Sequence, residues 1–460
     1  MVYHPQTDRG IDGGDADTIA AISTPAGVGG IGIVRLSGPD SAAIAARLSR
    51  SVPAPRNAGY RIFRDAEGGE IDRGILLYFP APNSYTGEDV VEFQCHGGPV
   101  VLGMLLARVL DLGARTAERG EFTRRAFLNS KMDLAQAEAV VDLINSSTEA
   151  AARCALRSLK GDFSDKVSQI MDQLQNLRIY VESAIDFPDE EIDFLDDQQL
   201  ITSVVGIRSE LADLLDSAER GKVMREGMEV VIAGLPNAGK SSLLNQLAGL
   251  ERSIVTPYAG TTRDTVDLVV DVEGLAVGIT DTAGLRVSDN PVEQEGISRA
   301  WQSINDADLV LYLIDITQNI SDTDRDNLGQ IEESKLLIVW NKIDLDDSFV
   351  PSPTGCQVDE LTISAKNALG IDAIRSHIQT FAGIATGDEG MFLARRRHLE
   401  AIKNALGYVI SAYVALSENQ SGELAAQDLR DAMDELGKIV GTRSADELLG
   451  EIFASFCIGK

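Results

Sequence analysis

Residues 229–249, EVVIAGLPNAGKSSLLNQLAG, constrain the fold more than any other stretch of this chain. EVVIAG is an apolar run suited to a parallel strand buried on both faces, and SSLLNQLAG opens a helix. Between them, Gly234, Gly239, Lys240 and Ser241 satisfy G-x-x-x-x-G-K-[ST]. Strand, glycine loop and helix in that order build a phosphate cradle from successive backbone N–H groups at a helix N-terminus. The cradle residues are Asn237, Ala238, Gly239, Lys240, Ser241 and Ser242. In this arrangement Lys240 reaches the β- and γ-phosphates, and the Ser241 hydroxyl is a Mg²⁺ ligand.

Three more segments make the nucleotide specific. GITDTAG ends a strand in D-x-x-G, which puts Asp281, Thr282, Ala283 and Gly284 beside the γ-phosphate and the metal's water shell. LIVWNKIDL carries Asn341, Lys342 and Asp344; a carboxylate at Asp344 accepts both N–H groups of guanine's edge, a pair that adenine lacks. LTISAK offers Ser364 and Ala365 to the guanine oxygen through backbone, with Lys366 also expected at the nucleotide. Between loop and D-x-x-G lies TPYAGTTRD, with Thr256, Pro257, Tyr258, Ala259, Gly260, Thr261 and Thr262. Thr262 is the second expected Mg²⁺ ligand. The segments together read as a GTPase. A second glycine motif, GVGGIG at 27–32, meets the dinucleotide spacing but runs into the strand-like IVRLSG rather than a helix, so no Rossmann unit is expected.

The remainder divides by pattern. Short β-rich runs with Gly/Pro turns occupy residues 1–130, an α+β domain. Strand signals vanish over 131–227, return with alternating helices over 228–384, and vanish again over 385–460. The expected architecture is multidomain: an N-terminal α+β domain, an all-α domain formed by two chain segments, and an α/β P-loop G domain inserted between them. With 71 acidic against 41 basic side chains, the net charge of −30 argues against a protein that coats nucleic acid. FLARRRHLEAIK, with Arg395, Arg396 and Arg397, is a local basic patch, and ERGEFTRRAF a smaller one. Cysteines 95, 154, 356 and 457 are scattered, with no C-x-x-C pair, so neither a zinc site nor a disulfide framework is expected. No signal peptide or membrane span is visible, and a reducing cytoplasm is the expected location.

The chain closes on FASFCIGK. Cys457 stands four places from the end, but Gly459 and Lys460 do not complete a prenylation box. From the residues alone, Phe453, Phe456 and Ile458 bury a helical tail and Cys457 is a small core residue. No arginine finger is obvious in cis; Arg263 reads equally as a surface charge. Asn237 offers an oxygen that would hold a monovalent cation by the phosphates, or is simply a turn former.

GLPNAGKSSLLN, TPYAGTTRD and DTAGLR resemble the TrmE–Era–Septin-like group of GTPases. DTIAAISTPAGVGGIGIVRLSG, NSYTGEDVVEFQCHGGP, FTRRAFLNSKMDLAQAEAV, AIDFPDEEIDF, FLARRRHL and FCIGK resemble the MnmE (TrmE) family of tRNA-modification GTPases across residues 18–460. That resemblance implies a K⁺-activated GTP hydrolase, with K⁺ held by Asn237, Thr256, Tyr258 and Thr261. It implies that Glu293 activates the attacking water; by sequence alone Glu295 or Asp289 serves as well. It implies a homodimer whose N-terminal domain binds 5-formyl- or methylene-tetrahydrofolate through Arg35, Glu88, Lys131 and Lys460. The implied partner is the flavoprotein MnmG (GidA), in a heterotetramer or larger complex, and the implied substrate is tRNA. The product would be a (carboxymethyl)aminomethyl group at carbon 5 of the wobble uridine, with Cys457 a candidate catalytic thiol. Cys95 departs from the family's glycine in the HGGP turn. A ribosome-assembly or signalling GTPase, or a septin-like assembly protein, is the competing reading, and neither explains FCIGK.

Overall fold

A computed structural model describes residues 17–186, 198–249, 268–282, 291–318, 320–346, 348–384, 391–418, 421–442 and 446–459. The chain separates into two compact units, residues 1–141 with 437–460, and residues 142–436.

In the first unit six strands form one sheet: β1 (Ile19–Ile22), β2 (Gly29–Ser37), β3 (Gly59–Arg64), β4 (Glu70–Phe79), β5 (Val90–Gly97) and β6 (Arg115–Thr116). Their order is β3-β4-β5-β2-β1-β6. All neighbours are antiparallel except β1 and β6. Alternation along β2 sends Val34 and Leu36 into a core with Phe63, Phe93, Leu105 and Val109, and turns Arg35 and Ser37 to the other face. Helices Ser41–Ser49 and Pro99–Asp111 cover that core. The β-rich runs expected over residues 1–130 are β1, β2, β4 and β5; β3, GYRIFR, carries too few β-branched residues to stand out in the sequence. GVGGIG enters β2 directly, without the helix a dinucleotide site requires.

The C-terminal segment belongs to this same unit. Phe453 and Phe456 are 3% and 1% exposed. They pack against Leu134, Ala137, Ile452 and Phe127. Beyond them the tail lies on backbone: the Gly120 N–H donates to the Cys457 carbonyl at 3.4 Å, and Arg119 bridges Ile458. The expectation for the tail is half corrected: the two phenylalanines are buried, whereas Ile458 is 54% exposed and Cys457 is exposed.

In the second unit, β7 (Met228–Gly234), β8 (Leu268–Val272), β9 (Leu275–Asp281), β10 (Leu309–Asp315), β11 (Leu336–Asn341) and β12 (Glu360–Ile363) form a sheet ordered β12-β11-β10-β7-β9-β8. Only the β8–β9 pair is antiparallel. Helix Gln198–Glu226, from before this sheet, packs along helix Arg396–Ser417, from after it. The Phe163 ring lies 5.6 Å from Phe392 and 5.2 Å from His398. The two helical arms therefore meet, and the α/β domain is inserted between them. Its core is not closed off from the arms: Ala151, Cys154 and Ala155 share a cluster with Val230, Val270 and Val277. At the β8–β9 turn the Thr148 hydroxyl donates to the Gly274 carbonyl at 2.6 Å and caps helix Glu149–Lys160 by accepting from the Ala151 N–H.

Candidate functional sites

In the second unit the phosphate loop follows β7, as the sequence requires, and helix Lys240–Gly249 begins at its lysine. Gly239 has φ +99°, and a β-carbon there would stand 2.2 Å from the Asn341 amide nitrogen. Only glycine fits, because Asn341 reaches over to donate to the Ala238 carbonyl at 2.7 Å. The Lys240 ammonium, 8% exposed, donates to the Gly234 and Leu235 carbonyls, each at 3.0 Å. Burial pushes its pKa down, with Asp281 opposing. The Ser241 hydroxyl, an expected Mg²⁺ ligand, donates at 2.9 Å to Asp281, the acid expected in the metal's water shell. Asn237 is exposed at φ +67°, a conformation asparagine tolerates.

The expected base-reading residues gather around Asn341, 2% exposed. Its side-chain oxygen accepts from the Lys342 and Ala365 amides at 2.8 and 2.9 Å, which ties β11 to the loop after β12. The Ser364 hydroxyl donates to the Asp344 carboxylate at 2.5 Å and fixes its orientation. The Lys342 ammonium pairs with Asp315. Burial opposes ionisation of Asp315, but bonds from Lys342 and Thr317 outweigh it and hold the carboxyl below its usual range. Asp315 went unseen in the sequence because an acid closing an apolar strand reads as a turn residue. Thr256, Pro257, Tyr258, Ala259, Gly260, Thr261, Thr262, Ala283, Gly284 and Lys460 lie outside the described residues, as does the side chain of Glu293. Ser242 and Lys366 are exposed.

In the first unit the loop between β4 and β5 brings three expected residues together. Glu88 takes a hydrogen bond from the Ser37 hydroxyl at 2.7 Å. Arg35, two residues earlier on the same face of β2, pairs with Glu92 at 2.9 Å and lies over the rings of Tyr85 and Phe122, at 5.6 and 5.8 Å. Lys131 donates to the Pro82 carbonyl at 3.0 Å. Behind Glu88, where a local basic patch is expected, stands a partly buried ionic cluster. Arg125, 2% exposed, pairs with Glu88, Asp17 and the buried Glu121. Arg115 pairs with Asp17 and Glu121 in turn. Asp17 is held down to about 2, chiefly by the Arg115 hydrogen bond. The four-residue spacing of Glu121 and Arg125 on one helix was the available signal.

The patch at 395–397 is also redistributed. Arg395 pairs with Asp142 at 2.8 Å, and Asp142 also accepts from Arg225 at 3.1 Å. Arg396, 85% exposed, pairs with Glu400.

Family models place this chain. Residues 18–131 match the model described as GTP-binding protein TrmE N-terminus, and residues 134–457 match the MnmE helical domain. The chain belongs to the MnmE family. Proteins called tRNA modification GTPase MnmE resemble it almost throughout. That of Hydrogenovibrio crunogenus is 50% identical over 445 residues, covering 96% of this chain and 99% of the relative. That of Marinobacter nauticus is 49% identical over 459 residues, again covering 96% and 99%. A solved structure of Aquifex aeolicus Era aligns over 41% of this chain and 66% of its own, with 25% identity and a TM-score of 0.28. Relatives this similar, named tRNA modification GTPases, mark the chain as a GTP hydrolase. No described helix is long and apolar enough to cross a membrane.

Proposed function

We propose that this chain is a K⁺-activated GTPase that acts as a homodimer with MnmG. Its product is a (carboxymethyl)aminomethyl group at carbon 5 of the tRNA wobble uridine, with a tetrahydrofolate supplying the one-carbon unit. The observation that carries this reading is the gathering of Glu88, Arg35 and Lys131 around one loop, in a chain that also holds the guanine-reading machinery. A GTPase without modification chemistry has no use for these residues around that loop. The close identity to proteins called tRNA modification GTPases supports the same reading.

Each residue has a task. Lys240 neutralises the β- and γ-phosphates, and Ser241 and Thr262 hold Mg²⁺. Asp344, oriented by Ser364, selects guanine. A bound K⁺ would supply the positive charge that an arginine finger supplies in other GTPases. Asn237 has the exposure and loop position to hold it, with Thr256, Tyr258 and Thr261 completing the shell. Glu293 orients the attacking water. In the first unit the Glu88 carboxylate accepts the N–H pair of a pterin, while Arg35, Lys131 and Lys460 meet the carboxylates of the glutamate tail. Cys457, exposed on a tail fixed to the same unit, is the candidate thiol of the modification step. The expected location is the cytoplasm.

GTP hydrolysis by the purified protein in equal KCl and NaCl tests the GTPase half. Activation by K⁺ alone, lost in Asn237→Ala, is the expected result; equal rates in both salts refute the cation assignment. A Glu293→Ala protein that binds GTP normally and still hydrolyses it at full rate removes Glu293 from the mechanism.

A further inference from the structure

Glu88 does not orient itself. Among the described residues, its Oε2 accepts from the Ser37 hydroxyl at 2.7 Å, and its two oxygens lie 3.2 and 3.3 Å from Nη1 of Arg125. Ser37 is fully buried, and its single proton goes to Glu88, so the Thr86 hydroxyl, 2.6 Å away, donates to Ser37. Arg125 is pinned from behind. Its Nη2 donates to Asp17 at 2.7 Å and to Glu121 at 3.0 Å, and Nη1 also donates to the Asp17 carbonyl at 2.9 Å. Glu121 is 1% exposed and takes a further pair of bonds from Arg115, at 3.1 and 2.6 Å. The shorter bonds go to Asp17 and to the buried Glu121, and the longer, shared ones face Glu88, whose side chain keeps 20% of its surface open. A guanidinium held this way has no freedom to swing, and a rigid fork is what a carboxylate needs if it is to meet a planar N–H pair without paying for its own ordering.

We infer that Arg125 and Ser37 are the positioning residues of the pterin-accepting carboxylate, setting the affinity of the N-terminal unit for a reduced folate without touching it. The inference rests on the folate reading above and adds to it a pair of residues outside the four expected there. It also accounts for a guanidinium sunk among three carboxylates, an arrangement that stability alone does not favour over apolar packing.

The test is a double-mutant cycle on the full-length protein, with 5-formyltetrahydrofolate titrated calorimetrically and thermal unfolding read on the same samples. Glu88→Gln and Arg125→Gln are each expected to weaken binding by about tenfold or more, and Ser37→Ala by about fivefold. The decisive expectation is non-additivity: Arg125→Gln on top of Glu88→Gln costs no more than about twofold further, because the arginine acts only through that carboxylate. Arg115→Gln removes charge from the same cluster without touching Glu88, and its affinity stays within about twofold of wild type. Additive losses, or an Arg115→Gln loss as large as that of Arg125→Gln, would mark the cluster as structural and overturn the inference. If Arg125→Gln does not fold, Ser37→Ala carries the same cycle: full additivity with Glu88→Gln, or affinity equal to wild type, overturns it. Wild-type protein that binds no folate refutes the folate reading itself, a result distinct from wild type that binds while these variants match it.

Discussion

Gly459→Ala is a one-methyl change with a large expected consequence. Gly459 sits at φ +94°, and a β-carbon there would stand 2.3 Å from the Ile22 carbonyl oxygen and 3.1 Å from the Ser23 α-carbon. An alanine at such a φ costs roughly 1–3 kcal/mol before any clash is counted. Relieving the clash means moving the tail by most of an ångström away from β1. The force opposing that movement is small: the Gly120 N–H to Cys457 carbonyl bond is 3.4 Å long, outside the favourable range, and with the Arg119–Ile458 bridge contributes about 1–2 kcal/mol. Strain therefore wins, and the residues after Phe456 leave their place while Phe453 and Phe456 stay buried. The assay is amide hydrogen exchange at Gly120, whose N–H loses its acceptor when the tail departs. Exchange there should speed by about tenfold or more, while the thermal midpoint falls by about 2–8 °C, the loss of the tail contacts alone. Wobble-uridine modification in cells relying on this variant should fall sharply, with GTP hydrolysis unchanged. Unaltered Gly120 exchange together with full modification would refute the reasoning.

Ser364→Ala removes the donor that orients Asp344, and GDP affinity should drop by about tenfold; a change under about twofold would leave Asp344 oriented by other means. Phe456→Ala should destabilise the first unit by about 3–5 kcal/mol in denaturant unfolding, whereas Cys457→Ser, at an exposed position, should change stability by less than about 0.5 kcal/mol. If Cys457→Ser nonetheless abolishes modification, its role is chemical; full restoration of modification would leave only the packing of its neighbours. Asp17, depressed to about 2 from an ordinary 3.8, contributes stability that is complete above about pH 4 and disappears as pH falls through 2. Asp17→Asn should therefore be less stable than wild type at pH 6, by a small margin because the side chain is 38% exposed, and the gap should close towards pH 2; a gap that widens in acid would reverse the assignment.

How much of this was legible in the sequence depends on whether the chemistry is local. The phosphate loop, N-K-x-D and S-A-K are short runs whose backbone conformation is set by adjacent residues, so their place after β7, β11 and β12 could be read directly. The division into an α+β segment, helical arms and an inserted α/β segment was legible for the same reason, since periodicity is local. Strand β3 was missed because GYRIFR is stabilised by its antiparallel partner β4 rather than by its own composition.

Long-range electrostatics was decided only in three dimensions. Arg125 and Arg395 look in sequence like members of exposed basic runs. Helix Glu121–Leu128 turns Arg125 inward, towards an aspartate 108 positions earlier and a glutamate 37 positions earlier. Arg395 meets Asp142 across 253 positions of sequence. A charge seeks whichever opposite charge the packed backbone brings near, and no local pattern encodes that partner. The tail follows the same rule. FCIGK announces itself by composition, but that Phe456 is buried, Cys457 exposed and Gly459 pressed against the Ile22 carbonyl depends on which backbone lies beneath it. Residue type set the chemistry available to this chain, and tertiary packing chose which of those groups face a ligand and which hold another in place.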